Sequence, residues 1–259
     1  TTVVDLPVEK RLKLAKKYND DREFSEGLAG VELNGKWGFI DKTGKQVIPC
    51  KYDDVGNFSE GLAGVELNGK EGFIDKTGKQ VITCKYDGVG SFEEGLALVR
   101  LNGKWGFIDK TGKLVIPCVY DFIFLFSEGL AHVKLNGKWG FIDKTGKQVI
   151  PFVYDGVGSF EEGLAGVELN GKWGFIDKTG KQVIPCKYDD AIYFEEGLAL
   201  VSLNFKWGLI DKTGKQVIPC TYDDVVFFSA LDIIEAAVRD SKHNMVKYYY
   251  DKNGNFLGM

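Results

Sequence analysis

The chain has 259 residues, 33 of them basic and 37 acidic, for a net charge of −4. Both signs are interspersed on every segment and no basic block stands out, which argues against a nucleic-acid phosphate backbone as partner. No apolar run is long enough to span a bilayer and no leader sequence is recognisable, so the expected setting is cytoplasmic, away from membranes, with a processed secreted form as the alternative.

Residues 1–17 differ from the rest. Asp5-Leu6-Pro7-Val8-Glu9 reads as a helix start, with an Asp cap, an early Pro and an acidic first turn, and Leu12, Leu14 and Ala15 continue it. The same stretch aligns with Lys-Gln-Val-Ile-Pro-Cys-Lys of later segments, which reads as strand. Residues 5–18 are therefore open between helix and strand.

Beyond them the chain repeats at one fixed step, the interval from Phe24 to Phe58. Phe24, Phe58, Phe92, Phe126, Phe160, Phe194 and Phe228 fall on this grid, and so do Tyr18, Tyr52, Tyr86, Tyr120, Tyr154, Tyr188 and Tyr222. Trp37-Gly38, Trp105-Gly106, Trp139-Gly140, Trp173-Gly174 and Trp207-Gly208 keep the same step, with Glu71-Gly72 in the missing slot and a degenerate slot near Lys247-Tyr248. A fixed period of this length is the mark of a repeat architecture and favours one continuous body over two domains.

The standard unit carries three strand signals. Leu62 to Leu67 alternates, with Leu62 and Gly64 facing one way and Ala63, Val65 and Leu67 the other. Asn68-Gly69 follows, the pair that a type I′ hairpin turn demands because both central residues need positive φ. Trp-Gly-Phe-Ile-Asp is the second strand, and Asp-Lys-Thr-Gly fits a turn with Gly in the left-handed position. The third strand is Gln46 to Tyr52, whose Pro49 marks an edge or a bulge because it cannot donate to a ladder. The segment from Asp53 to Phe58 either adds a fourth strand or crosses to the next unit. At the far end, Ser229-Ala230-Leu231-Asp232 with Ile233, Ile234, Ala236, Ala237 and Val238 reads as a short capped helix, or, on the grid, as a strand.

The expected fold is all-β: seven 34-residue units near 25–58, 59–92, 93–126, 127–160, 161–194 and 195–228, with residues 1–24 and 229–259 jointly forming the last, degenerate unit. Two partial ends that add up to one unit suit a propeller-like closed ring, although so short a unit makes a small blade. The alternative is an open β-solenoid with helical end caps. The pattern Gly-Lys-Trp-Gly-Phe-Ile-Asp-Lys-Thr-Gly-Lys-x-Val-Ile-Pro resembles the bacterial WG (KWG) repeat and covers roughly residues 18–227. That resemblance implies an interaction module and carries over no catalytic residue.

The chemistry-bearing residues mostly follow the repeat. Cys50, Cys84, Cys118, Cys186 and Cys220 share one position with Phe152, which marks an apolar packing slot rather than a zinc or redox site. Gly-Phe-Ile-Asp-Lys-Thr-Gly-Lys fails as a phosphate loop on spacing and lacks the following Ser or Thr. Asp251 to Asn255 only faintly resembles a calcium loop. Asn57-Phe58-Ser59 is a sequon that matters only if the protein is secreted. His132 and His243 lie on different kinds of segment and suggest no triad. Carboxylates such as Glu32/Glu66, Asp41/Asp75 and Glu60/Glu94 recur beside recurring lysines, the look of a solvated face with cross-strand pairs. No cofactor is implied. The Trp slot reads as packing between units, with an aromatic ligand platform as the alternative, and Glu71 there requires partial exposure or local loosening.

Variation between copies is the functional signal. Positions 30, 64, 98, 132, 166 and 200 run Gly, Gly, Leu, His, Gly, Leu, and those two residues on run Glu, Glu, Arg, Lys, Glu, Ser. The segment after Tyr-Asp is Val-Gly-Asn or Val-Gly-Ser in three units but bulky elsewhere. Leu98, Arg100, Phe122, Phe124, His132, Lys134, Tyr193, Leu200 and Phe227 are thus the candidate binding residues. The expected function is non-catalytic binding or scaffolding of a protein or peptide. The alternatives are a lectin-like binder of small ligands or glycans at repeated aromatic sites, and a recently amplified or engineered array with no dedicated ligand. Phe205 occupies a turn slot that needs positive φ, so that turn is expected to change type.

Overall fold

A computed structural model describes residues 6–259. After helix α1 (Val8–Lys17) come β1 (Asp20–Asp21), β2 (Leu28–Leu33), β3 (Lys36–Asp41) and β4 (Gln46–Tyr52), one antiparallel sheet in the order β1-β2-β3-β4. Six more four-stranded antiparallel sheets repeat this plan over residues 54–86, 88–120, 122–154, 156–188, 190–222 and 224–258. The chain forms two compact units: the first, up to Asp121, holds three sheets, and the second, Phe122–Met259, holds four.

The segment after Tyr-Asp is the missing fourth strand, and it opens the next sheet: Asp54 and Val55 pair with Glu66 and Val65. Each sheet therefore begins just after the grid Tyr, not after the grid Phe. The hairpins form as their sequences dictate. Asn34 and Gly35 take φ 53° and 76°. In the second turn Gly44 N–H donates to the Asp41 carbonyl at 2.9 Å, while Asp41 Oδ1 accepts from Thr43 N–H, Thr43 Oγ1 and Lys45 N–H. Pro49 satisfies both readings of its role, on the edge strand β4 and opposite a register shift in β3. That shift explains the Gly of Trp-Gly: a Cβ on Gly38 would lie 2.5 Å from the Ile48 carbonyl oxygen.

Within each unit the sheets pack face to face. Phe39, Ile48 and Tyr52 of the first sheet bury against Val55, Phe58, Ala63, Val65 and Ile74 of the second. The ring pair Phe39–Phe58, 4.9 Å between centroids, recurs as Phe73–Phe92, Phe141–Phe160 and Phe175–Phe194. Periodic charges stitch neighbours together. Asp53 accepts from Lys36 Nζ and from Asn68 N–H, and Glu26 accepts from Gly61 N–H and pairs with Lys76 Nζ at 3.0 Å. The recurring carboxylates are thus partly inter-sheet ties, beyond the cross-strand pairs expected.

Two open readings are resolved, and other expectations are corrected. Residues 8–17 are helix, with Pro7 at the cap position and no side-chain cap bond; the Asp5 cap lies outside the described residues. Residues 229–231 make one 3-10 turn, and Ile233–Arg239 is strand, because its apolar residues face a sheet partner at every step. Among the described residues the terminal segments do not share a sheet. The last sheet takes all four strands from 224–258, and residues 20–21 pair with β2 instead. The Asn204-Phe205 turn keeps its type, with φ 53° and 61°, since the flanking ladder fixes it and the ring points into solvent at 92 % exposure.

Candidate functional site

Register places four variable positions in rows across each sheet. In the fourth sheet Phe122 pairs with Lys134, Lys134 with Trp139, and His132 with Phe141. Phe124 N–H donates to the His132 carbonyl at 3.1 Å. Two-residue alternation then puts Phe122, Phe124, His132, Lys134 and Trp139 on one face.

Their rings form a contiguous cluster. Phe124 lies 4.2 Å from His132 and 5.9 Å from Trp139, Phe122 lies 5.2 Å from Phe124, and His132 lies 5.7 Å from Trp139. The Lys134 ammonium sits 5.6 Å over the Trp139 ring. His132 is 6 % exposed, whereas Phe122 and Phe124 are 46 % and 45 % exposed and Leu125 is 58 % exposed. Burial pulls the imidazole down to about 4, so His132 is a neutral aromatic component at neutral pH. In the fifth sheet the corresponding segment is Gly156-Val157, followed by Gly158-Ser159.

The other candidates separate. Leu98 and Arg100 lie on the third sheet, in the other compact unit, where Arg100 stacks over Trp105 at 5.6 Å. Leu200 and Phe227 pack into the core between the sixth and seventh sheets. Tyr193 is 58 % exposed beside Ile192 on the sixth sheet and does not join the ring cluster. Trp139 and Leu125 are not among the candidate residues, although Leu125 belongs to the bulky segment after Tyr-Asp and Trp139 to the repeated Trp slot; only cross-strand register reveals Trp139 as the floor of the patch.

The Trp slot is half-buried, and Trp37, Trp173 and Trp207 pack against the inter-sheet cores. Glu71 occupies it at half-burial, its Oε2 accepting from Val89 N–H at 2.8 Å. Desolvation pushes its carboxyl above the ordinary value, with Glu66 and Asp54 adding to the rise. The five thiols are unpaired and half-buried, each against a Val carbonyl, as with Cys50 and Val31 at 3.6 Å; burial raises their pKa. Among the described residues no group of three or more His, Cys, Asp or Glu side chains converges as a metal site, and no helix is long and apolar enough to cross a membrane.

A family model for the WG containing repeat matches residues 11–37, 37–70, 72–105, 105–139, 139–173, 173–207 and 207–230. The chain belongs to the WG-repeat family. No curated protein matches this WG-repeat chain. Among solved structures it is similar to a eukaryotic initiation factor at 12 % identity and TM-score 0.45, covering 92 % of this chain and 75 % of that one. It is also similar to Kluyveromyces lactis Hsv2p at 9 % identity and TM-score 0.40, covering 90 % and 96 %. The CNH domain of AfRom2 aligns at 10 % identity and TM-score 0.36, covering 91 % and 94 %.

Proposed function

We propose that this WG-repeat chain is a non-catalytic binding module that engages a protein or peptide through the aromatic patch of its fourth sheet. The observation that carries the reading is the pair Phe122 and Phe124, nearly half exposed and seated on His132 and Trp139. Exposed rings on a rigid, packed floor are the kind of anchor that dominates interface energies. Lys134 at the edge favours a partner segment with an apolar side chain next to an acidic one.

The lectin-like reading has less support. Trp37, Trp105 and Trp139 lie under Arg22, Arg100 and Lys134, and Trp173 and Trp207 pack into cores, so the five slots offer no common open platform. The five unpaired thiols support a reducing compartment.

The binding test is a displayed peptide library selected on the wild-type chain and counter-screened on the Phe122→Ser/Phe124→Ser variant. Enriched sequences with an apolar–acidic signature, weakened about thirtyfold on the variant, are the expected result. Enriched sequences that bind both chains equally would place the binding face elsewhere.

A further inference from the structure

We infer that the second sheet carries a seat for an indole ring, in the cavity that opens where Glu71 stands in the repeated Trp slot. This seat lies on a different sheet from the aromatic patch proposed above and does not depend on it.

The chain supplies its own template for the ring. In the fifth sheet Trp173 stands opposite Glu168, and its indole lies over Gly166 and Gly156. A Cβ on Gly166 would meet Cε3 and Cζ3 of that indole at 3.6 Å, and one on Gly156 would meet its Cη2 at 3.3 Å. The second sheet keeps the same register, with Glu71 opposite Glu66 and Gly64 in the place of Gly166. A Cβ on Gly64 would meet only Val89 at 3.1 Å and Phe73 at 3.9 Å, and no atom of Glu71. The space that an indole covers in the fifth sheet is therefore vacant in the second. A cavity of about 270 Å³ lies there, lined by Asp54, Gly56, Gly64, Glu66, Glu71 and Val89 among others. Its lining residues are all described, so the vacancy follows from the exchange of Trp for Glu. An apolar cavity of about 150 Å³ holds benzene, so this one has room for the larger indole.

Glu71 does not refill the space because it is drawn elsewhere. In other sheets the outward N–H of the second residue of the first strand is capped by the preceding Asp: Asp20 caps Asp21, Asp54 caps Val55 and Asp190 caps Ala191, each at 2.8 Å. The third sheet has Gly88 in that place, and Glu71 Oε2 caps Val89 N–H instead, also at 2.8 Å. The other carboxylate oxygen, Oε1, has no hydrogen-bond partner among the described residues. Two further charged groups on the cavity wall satisfy each other: the Arg22 guanidinium holds Asp54 at 2.6 Å and stacks over Trp37. The selection thus rests on shape and on one hydrogen bond. A glycine-walled space vacated by an indole, with one carboxylate oxygen left to accept, fits a neutral bicyclic ring that donates a single N–H.

The test titrates the full chain with indole, with its isostere benzofuran, which lacks the N–H, and with N-acetyl-tryptophanamide, following the methyl resonances of Val55, Val65 and Val89. Indole is expected to shift these methyls and to bind about tenfold tighter than benzofuran. Glu71→Ala is expected to erase that difference while leaving ring binding in place. Glu71→Trp, which restores the residue that five other sheets fold with, is expected to abolish binding of both rings without lowering the urea midpoint. N-acetyl-tryptophanamide bound as tightly as indole identifies the occupant as a Trp side chain of a protein partner; indole bound without it identifies a free small molecule. Methyls unmoved by indole, equal affinities for indole and benzofuran in the wild-type chain, or indole binding that survives Glu71→Trp would overturn the proposal.

Discussion

The two compact units share one scaffold and differ in their first strands. In the unit up to Asp121 these read Asp20-Asp21-Arg22, Asp54-Val55-Gly56 and Gly88-Val89-Gly90; in the unit from Phe122 three of four are bulky, Phe122-Ile123-Phe124, Asp190-Ala191-Ile192-Tyr193 and Asp224-Val225-Val226-Phe227. Behind them both units bury Phe pairs and Ile rows to nearly complete exclusion of water, with Tyr52, Tyr86 and Tyr120 buried in the first unit and Tyr188 in the second. The core is thus held constant while the exposed strand changes from charged or small to aromatic. A repeat scaffold with one face free to vary can build a singular site from nearly identical parts.

The comparison breaks most sharply at the shared core. Phe73→Ala in the first unit and Phe141→Ala in the second each remove a fully buried ring from the same inter-sheet pair, and each is expected to cost about 3–5 kcal/mol in urea unfolding. Unequal losses would mean that the two scaffolds are not equivalent.

The next effect belongs to the fourth sheet alone. Burial holds His132 near 4 against an ordinary 6.5, so between those values the unfolded chain binds the proton more readily. Stability therefore falls as pH drops from 6.5 to 4, by up to about 3 kcal/mol, and is fully present above 6.5. In denaturation measured across that window, His132→Leu is expected to show a flatter profile than the wild type; identical profiles would show that the imidazole is not buried in the folded chain.

Smaller effects sharpen the contrast at the surface. Phe122→Ser/Phe124→Ser is expected to cost about 1 kcal/mol or less in stability while removing partner binding, because nearly half of each ring already faces solvent. Phe205→Gly is expected to gain about 1 kcal/mol by relieving a left-handed φ of 61° on a fully solvated ring, read as a rise in the urea midpoint.

Much of this was legible in the amino-acid order, for reasons that can be named. The fixed repeat step, the Asn-Gly and Asp-Lys-Thr-Gly turns and the edge proline are local signals, and the backbone obeys them. The helix at Val8–Lys17 was ambiguous because the grid and the local propensity disagreed; propensity prevailed. Phe205 went the other way, since a ladder on both sides of the turn outweighs the preference of one residue. Of the candidate site, Phe122, Phe124, His132 and Lys134 were visible as departures from the repeat. Leu200 and Phe227 looked the same in sequence but fill core between the sixth and seventh sheets, a difference that only packing decides.

The most direct test of one singular face on a repeated scaffold is the stoichiometry of binding. Calorimetric titration of the chain with a peptide selected as above is expected to give one equivalent bound, abolished in Phe122→Ser/Phe124→Ser. Several equivalents, or one equivalent that survives that variant, would contradict the account and return the binding role to the repeated positions.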